Sequence, residues 1–205
     1  DALLLKRPHR LILEALLYRT GQTGFAPLTV RDITTYAGIH RATFYRHYKD
    51  KFDLLDDYAQ AVYELLDVPL EAGSRLSNKT DANQTIYRLV RILDHIRANA
   101  KFYRVMLGKN GDPAFTDKIR QYIQKRIRRS LPTGLQNDET SIDLYVCYGS
   151  SASVGAILWW LEHDMPYSPE EMATMLHQLE LGSLKAMLGR VASQRQSSAT
   201  TNPSS

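Results

Sequence analysis

The sequence LTVRDITTYAGIHRATFYRHYKDK, at residues 28–51, decides the fold of the first part of this chain. Its apolar residues before Gly38 recur at helical spacing, so they fall on one face of a two-turn helix. Thr29 suits the N-cap of that helix, and Asp32 follows three residues later in a shorter relative of the capping box. Gly38 is placed to end the helix. The pattern therefore predicts a short helix between Thr29 and Gly38.

A second short helix is predicted from about His40 to Tyr48, directly after that glycine. At about 100° per residue, Phe44 and Tyr48 point the same way, whereas Ala42 and Arg46 point to the opposite side. Phe44 and Tyr48 are therefore expected to pack on the preceding helices. Two short helices joined by a tight turn that contains glycine form the helix-turn-helix pattern.

The outward side of the second helix has the chemistry that DNA binding requires. The small side chain of Ala42 lets the first turn enter a major groove, and an arginine can pair with guanine O6 and N7. Thr43, Tyr45 and a nearby histidine can donate hydrogen bonds to phosphates. Asp50 is expected to cap a further helix that begins at Lys51, where the helix dipole and the lysine favour an anion. The alternative is a basic helical hairpin that binds no ligand.

The positive charge of the chain is concentrated in this first part. Residues 1–51 contain nine Lys or Arg against four acidic residues, a balance of +5, whereas the remaining chain contains seventeen against eighteen. Such a distribution is expected of a domain that faces a polyanion. A solvated basic surface would explain the charge alone.

The segment from Leu28 to Asp56 closely resembles the DNA-binding signature of TetR-type transcriptional regulators, and the resemblance covers roughly residues 6–58. In that signature, an Ile–Ala-Gly-Val core precedes a short Ser-Arg-Gly/Ala-Thr-Leu-Tyr-Arg-His-Phe helix and a lysine that opens the next helix. His40 stands where the family usually has a serine N-cap. The first turn of the helix is then less well capped, or His40 itself reaches a phosphate.

The resemblance also implies which side chains contact DNA. The base-contacting positions it implies are Arg31, Arg41 and Ala42. The phosphate-contacting positions it implies are Thr29, Thr43, Tyr45, His47 and Lys51. With His40 and Arg46, these residues form the predicted DNA-binding set.

The function that the resemblance implies is that of a bacterial repressor. Such a protein binds a palindromic operator in double-stranded DNA as a homodimer, because one recognition helix reads only a few base pairs. A small organic effector would bind in the C-terminal domain and change the separation of the two DNA-reading heads. The alternative is a helical enzyme or carrier whose N-terminal hairpin is only a protein-contact module. Of the two, we expect the regulator, which is not an enzyme.

The whole chain is expected to be all-α, with about nine helices and no competing strand pattern. A three-helix helix-turn-helix domain at residues 1–50 precedes a helical effector-binding and dimerisation domain at residues 51–190. The polar tail at residues 191–205 is expected to be disordered. Besides the two short helices, the predicted helices span about residues 4–20, ended by Gly21, and then 51–67, 81–98, 100–108, 113–130, 138–163 and 168–190. Ser168 and Glu171 are expected to form a capping box at the start of the last helix, and Asp112 is expected to start the helix at residue 113.

The last two predicted helices are the expected homodimer interface, at about residues 138–163 and 168–190. In TetR-type regulators such helices pair with their twofold mates in a four-helix bundle. Two glycines inside the first of them favour close helix approach, because each costs roughly 1 kcal/mol relative to alanine. The second carries an apolar stripe at spacings of three and four, formed by Met172, Leu176, Leu179 and Met187. The alternative is that these stripes only close the core of one chain.

The central helices carry enough aromatic surface to bind a flat or apolar organic effector. The candidate pocket residues are Tyr87, Phe102, Tyr103, Met106, Tyr145, Tyr148, Trp159 and Trp160. An aromatic-rich core would give the same pattern.

Other groups suggest simpler roles. No metal site or cofactor is expected, since the histidines of the later helices lack ligand spacing. Cys147 is expected to be a buried thiol. No apolar run approaches the ~18 residues that span a bilayer, so no membrane contact and a cytoplasmic location are expected. Six Lys or Arg and no acid lie between Lys118 and Arg129. They form a solvated face or a second contact for nucleic acid or an anionic ligand.

Overall fold

The computed structural model describes residues 7–67, 78–109, 111–131 and 139–200, and its regular structure within these ranges is entirely helical. The expected all-α fold, with an N-terminal helix-turn-helix followed by a helical C-terminal part, is confirmed. The helices of the described chain are α1 (Arg7–Thr23), α2 (Val30–Ala37), α3 (Arg41–Tyr45), α4 (Lys51–Asp67), α5 (Asn78–Ala98), α6 (Ala100–Leu107), α7 (Pro113–Ser130), α8 (Glu139–Glu162) and α9 (Pro169–Thr200).

The ends of the short helix α2 follow the local sequence. Thr29 adopts an extended backbone, and its hydroxyl accepts a hydrogen bond from the Asp32 amide while the Asp32 carboxylate accepts one from the Thr29 amide. Gly38 has a φ of 64°, in the left-handed region that glycine adopts without strain. Both predicted ends of α2 are confirmed, because each depends on residues next to it in the chain.

The end of α1 differs from the prediction. The helix continues through Gly21 to Thr23, and Gly24 has the positive φ, 84°, that ends it. Gly21 instead allows α1 to approach α6 closely, because a Cβ at this position would lie 2.9 Å from the Lys101 Cβ. The glycine is thus explained by tertiary packing, which the sequence pattern around it does not show.

The two parts of the chain share one hydrophobic core. Among the larger side chains with almost no exposed surface, Ile12, Leu16, Ile33 and Phe44 come from the first three helices. Leu54 of α4 lies next to them, and the core continues through α5 to α9 to the fully buried Trp160. The predicted boundary between residues 50 and 51 stays a prediction, since α1 packs against α6 as well as α2.

The helix α8 is, within the described residues, the one helix long and apolar enough to cross a membrane by length and composition alone. The sequence reading had found no such run. Trp160 and Leu161 at its end are fully buried, and α7 packs along it. This packing places one side of α8 in the hydrophobic core.

The helix α9 is longer than predicted, and its end falls where a disordered tail was expected. It starts with the expected capping box, in which Ser168 and Glu171 exchange side-chain to backbone hydrogen bonds. It then runs to Thr200, because neither glycine nor proline interrupts the sequence between Gly189 and Pro203. The structure thus gives residues 191–200 as helix where a disordered tail was expected, and residues 201–205 lie outside the described chain.

Candidate nucleic-acid interface and ligand cavity

The helix α3 presents a polar cationic face to solvent. Arg41, Ala42 and Arg46 are exposed, and Tyr45 is about half exposed. Phe44, on the other side, is fully buried in the core. The inward and outward sides therefore match the helical wheel, so that hydrogen-bond donors and a small residue face outward together.

His40 occupies the N-cap of α3 without capping it. Its backbone is extended, but its side chain makes no capping hydrogen bond and is exposed. The first of the two alternatives raised by the sequence thus describes this structure, and the imidazole stays available at the surface. His47 is also exposed, whereas Thr43 is half-buried.

The start of α2 contributes a second side chain to this surface. Arg31 is exposed in the first turn of the helix. The Thr29 hydroxyl donates its proton to the Asp32 carboxylate at 2.6 Å, and this hydrogen bond is the main cause that lowers the pKa of Asp32. Thr29 is therefore committed to capping α2, and a phosphate contact through its hydroxyl would compete with that bond.

The structure places Lys51 in a different role from the predicted phosphate contact. Its ammonium group donates to three backbone carbonyls, those of Phe25 and Ala26 at 2.8 Å and of Leu28 at 2.9 Å. An ammonium group has three protons, so these bonds use all of them. The group also lies 4.7 Å from the centre of the Phe25 ring, and burial lowers the pKa of Lys51. Lys51 fastens the loop between α1 and α2 to the start of α4.

A polar cluster behind α3 was not found from the sequence. The Tyr48 hydroxyl contacts Nε2 of His9 in α1 and donates to the Asp57 carboxylate in α4 at 3.1 Å. The same His9 nitrogen lies 3.1 Å from that carboxylate. Tyr48 was expected only to pack, because residues 39 and 9 positions away in the chain give no local sign of meeting it. The cluster joins the end of the recognition segment to α1 and α4.

The C-terminal part contains a largely aliphatic cavity of about 100 Å³ between α4 and the helices that follow it. Its lining residues are Val62, Arg88, Leu89, Ile92, Ile96, Tyr103, Leu107, Ile119, Tyr122, Ile123, Arg126, Ser153, Val154, Ile157, Leu176 and Glu180. The cavity is the candidate ligand site of this part of the chain.

Of the aromatic and methionine residues predicted to form a pocket, Tyr103 alone lines this cavity. Residues buried in the core elsewhere are Phe102, Met106, Tyr145 and Trp160. Residues exposed at the surface are Tyr87, Tyr148 and Trp159. The predicted residues other than Tyr103 thus lie outside this cavity, because composition does not show which face of a helix turns inward.

Tyr103 connects the cavity to α4 by hydrogen bonds. Its hydroxyl lies 3.0 Å from the hydroxyl of Tyr58 in α4, which in turn lies 2.8 Å from Nε2 of His95 in α5. Burial raises the pKa of Tyr58 and lowers that of His95, since both groups are removed from water. A single hydrogen bond, between Tyr103 and Tyr58, thus links the cavity wall to α4, the helix that follows the recognition segment.

One end of the cavity is charged. Arg126 of α7 forms an ion pair of 2.8 Å with Glu180 of α9. The Tyr145 hydroxyl donates to the backbone carbonyl of Glu180. Arg126 also lines an adjoining open groove of about 420 Å³ between α4 and α7. Arg126 therefore stands between the cavity and the groove, on the basic segment that the sequence singled out.

The outward faces of α8 and α9 expose large apolar side chains. Leu144 is 70% exposed and Leu179 is 69% exposed, and Tyr148 and Leu181 are exposed as well. Gly155 and Gly182 have open space where a Cβ would stand. Open space at these glycines would let another helix approach closely.

Two predictions about these faces need correction. The stripe on α9 is not one surface, because Met172 is buried in the core while Leu179 points to solvent. Cys147 is exposed rather than buried, on the same outward side of α8 as Tyr148. When only one side of a helix is buried, its apolar residues are divided between the core and the surface from one turn to the next.

Models of protein families match both the N-terminal and the C-terminal part of the chain. The model of the bacterial regulatory proteins of the tetR family matches residues 12–58, and a model of a transcriptional regulator C-terminal region matches residues 84–181. A curated relative, the uncharacterized HTH-type transcriptional regulator YxbF of Bacillus subtilis (strain 168), is 24% identical over 166 residues, or 81% of this chain. The chain spans 43% of the length of that relative.

Solved structures share the fold at low sequence identity. The dihydroxyacetone kinase operon activator DhaS superposes with a TM-score of 0.63 at 16% identity, over 87% of this chain and 97% of its own. A TetR transcriptional regulator from Streptococcus agalactiae 2603V gives a TM-score of 0.59 at 20% identity, over 85% and 94%. A tetR-family regulator from Streptomyces coelicolor gives 0.63 at 15% identity, over 91% and 84%.

Proposed function

Because the chain belongs to the TetR family of bacterial transcriptional regulators, we propose that it is a repressor that binds a palindromic operator as a homodimer and leaves it when a small effector binds. Members of this family are DNA-binding regulators, not enzymes. The alternative of a helical enzyme or carrier is thereby set aside. The site of action is the DNA of the cytoplasm or nucleoid.

The outward face of α3 is the observation that carries the proposal. Arg41, Ala42, Tyr45 and Arg46 are exposed together on a short helix whose opposite side is locked into the core by Phe44. A rigid helix with a small residue and arginines on its free face fits the major groove, where Arg pairs with guanine. Arg31 and His47 extend this surface, and they are proposed contacts to base and phosphate respectively.

The outward apolar faces of α8 and α9 support a homodimer. Exposed leucines such as Leu144 and Leu179 are unusual on a monomer when they lie close together, and such patches mark interaction sites. Gly155 of α8 and Gly182 of α9 leave room for a partner helix. A twofold dimer presents two recognition helices to two half-sites about one helical turn apart.

The helix α4 supports effector-controlled release. Its start is fastened to the α1–α2 loop by Lys51, and Asp57 in its second turn bonds to Tyr48 behind the recognition helix. Farther along, Tyr58 bonds to Tyr103 in the cavity wall. A ligand that moves Tyr103 therefore acts on a helix whose first turns hold the DNA-reading part.

The test is selection of a binding sequence from random duplex DNA by the purified full chain, followed by fluorescence anisotropy over a range of salt concentrations. We expect a selected palindrome, two chains per duplex and a steep loss of affinity as salt rises, because Lys and Arg contacts release counterions. Absence of any selected sequence would refute the regulator proposal. A reporter gene placed behind the operator would then show whether the protein lowers or raises transcription. Activation is the role named for DhaS.

A further inference from the structure

The aliphatic cavity and the basic groove adjoin each other and share two lining residues. Tyr122 and Arg126 line both of them, so the two spaces meet at these side chains on α7. The cavity lies between the helices from α4 to α9, and the groove opens to solvent between α4 and α7. A molecule that displaces these two side chains would occupy both spaces, with one part enclosed and another part at the surface.

The enclosed part of the site suits a flexible alkyl chain. Ten of its lining residues are Val, Leu or Ile, and the aromatic ones are two tyrosines whose hydroxyls can hydrogen bond. Aliphatic walls favour the burial of methylene groups, because apolar surface is removed from water. A flat ring would gain the additional stacking energy from aromatic partners, which are few here.

The open part of the site favours a negative charge. Its cations are Lys118, Lys125, Arg126 and Arg129, and its acids are Asp56 and Glu64. At the junction, Arg126 is paired with Glu180, and these side chains are 31% and 19% exposed. Partial burial strengthens a charged contact relative to one in bulk water.

From these features we infer that the effector is an amphiphilic anion, with an aliphatic tail that enters and widens the cavity and a carboxylate or phosphate head at Arg126. The inference rests on the proposed function, in which an effector binds in this part of the chain. It narrows the flat or apolar organic effector expected from the sequence to an aliphatic anion.

Carboxylates of the protein pair with two of the cations that the head group would contact. Glu180 pairs with Arg126, and Asp56 of α4 pairs with Lys118 of α7. A ligand anion exchanges for these carboxylates. Since the Lys118–Asp56 pair links α7 to α4, a head group large enough to reach Lys118 also breaks this ion pair between the two helices.

The first experiment measures binding of four decyl compounds and one aromatic anion to the full-length chain by calorimetry, below their micelle concentrations. We expect decanoate and decyl phosphate to bind and to raise the melting temperature. Decanol, decyltrimethylammonium and naphthalene-2-sulfonate should bind at least about tenfold more weakly, a difference of about 1.4 kcal/mol. Tighter binding of decyl phosphate than of decanoate would place a phosphorylated head in the groove, and the reverse would place a carboxylate at Arg126.

Variants test each half of the site. Arg126→Gln should weaken decanoate binding about ten- to a hundredfold, through the loss of a charge-assisted hydrogen bond. Glu180→Gln should strengthen it, because a competing carboxylate is removed. Ile92→Trp should abolish it by filling the cavity. Lys109, which lines neither space, supplies the control Lys109→Gln with unchanged binding, and circular dichroism checks that each variant is folded.

Equal binding of decyltrimethylammonium would overturn the assignment of the head, and binding of naphthalene-2-sulfonate in place of decanoate would overturn that of the tail. If Arg126→Gln fails to fold, the sign of the Glu180→Gln effect still decides the head. The same titrations on operator-bound protein separate this inference from the proposed function. Binding of the decyl anions without DNA release would keep the ligand class and refute effector-controlled release.

Discussion

Arg41 begins α3 with its side chain free at the surface, and base reading is expected to depend on it. We expect Arg41→Ala to weaken operator binding by about 1–3 kcal/mol and to relax the preference at one position per half-site, because a bidentate Arg–guanine pair contributes on that scale. Anisotropy titrations on the operator and on single-base variants measure both effects. Arg91→Ala, an exposed arginine of α5, is the matched control. An equal loss on operator and random DNA would reduce Arg41 to a backbone contact.

The half-buried His95 predicts a dependence of stability on pH. Burial lowers its pKa below the ordinary value of 6.5, so the unfolded chain binds a proton at this site more readily than the folded protein. The stability of the neutral buried form is present above about pH 6.5 and is lost as the pH falls below it. Between about pH 7.5 and 5.5, the melting temperature of His95→Gln should fall less than that of the unaltered protein. The exposed His163→Gln is the control, and parallel curves for His95→Gln and the unaltered protein would contradict the prediction.

At the scale of residues, the sequence predicted which way a side chain points better than it predicted which residues that side chain contacts. The inward and outward sides of α3 followed from helical spacing, which depends only on neighbours in the chain. The partners of Lys51 lie 23 to 26 positions away, and the phosphate role assigned by resemblance gave no sign of them. The sequence also did not show which aromatic residues line the cavity. Phe102 and Tyr103 are adjacent in the chain, but only Tyr103 reaches the cavity.

At the scale of elements, the Lys51 ammonium joins α4 to the loop between α1 and α2. Lys51→Ala should lower the free energy of unfolding by about 1.5–3 kcal/mol, because charge-assisted hydrogen bonds to carbonyls are lost. Chemical denaturation measures this change, and Lys49→Ala, which removes a neighbouring exposed lysine, is the control. Unchanged stability together with a smaller salt dependence of DNA binding would restore the phosphate role predicted from the sequence.

Helix ends were predictable wherever the residues next to them determine the cap. Asp112 and Ser168 cap α7 and α9 through their own side chains, as the sequence predicted. Gly21 misled the prediction, because a glycine required for helix approach has the same sequence signature as one that ends a helix. The end of α9 was misjudged because polarity was taken as a sign of disorder, although a polar helix lacks only an apolar face and not the capacity to form backbone hydrogen bonds.

At the scale of the whole molecule, Leu179 is expected to lie in the proposed dimer interface. Leu179→Arg would bury an unpaired charge between the two chains, which costs several kcal/mol. We expect sedimentation to show a monomer, circular dichroism to stay helical, and operator affinity to fall towards the non-specific level of about 10⁻⁴–10⁻⁶ M. Tyr87→Arg, at an exposed apolar residue of α5, is the control. A Leu179→Arg protein that remains dimeric would place the interface on another face.

The close approach of α1 to α6 limits how this regulator can be recombined with its relatives. A hybrid that joins a foreign N-terminal segment to this C-terminal part at residue 50 sets the foreign α1 against Lys101. There, any residue other than glycine at position 21 brings its Cβ to 2.9 Å from that of the lysine. A working hybrid therefore needs glycine at that position or must take α6 from the same donor as α1, so operator choice and ligand choice are not freely interchangeable modules in this chain.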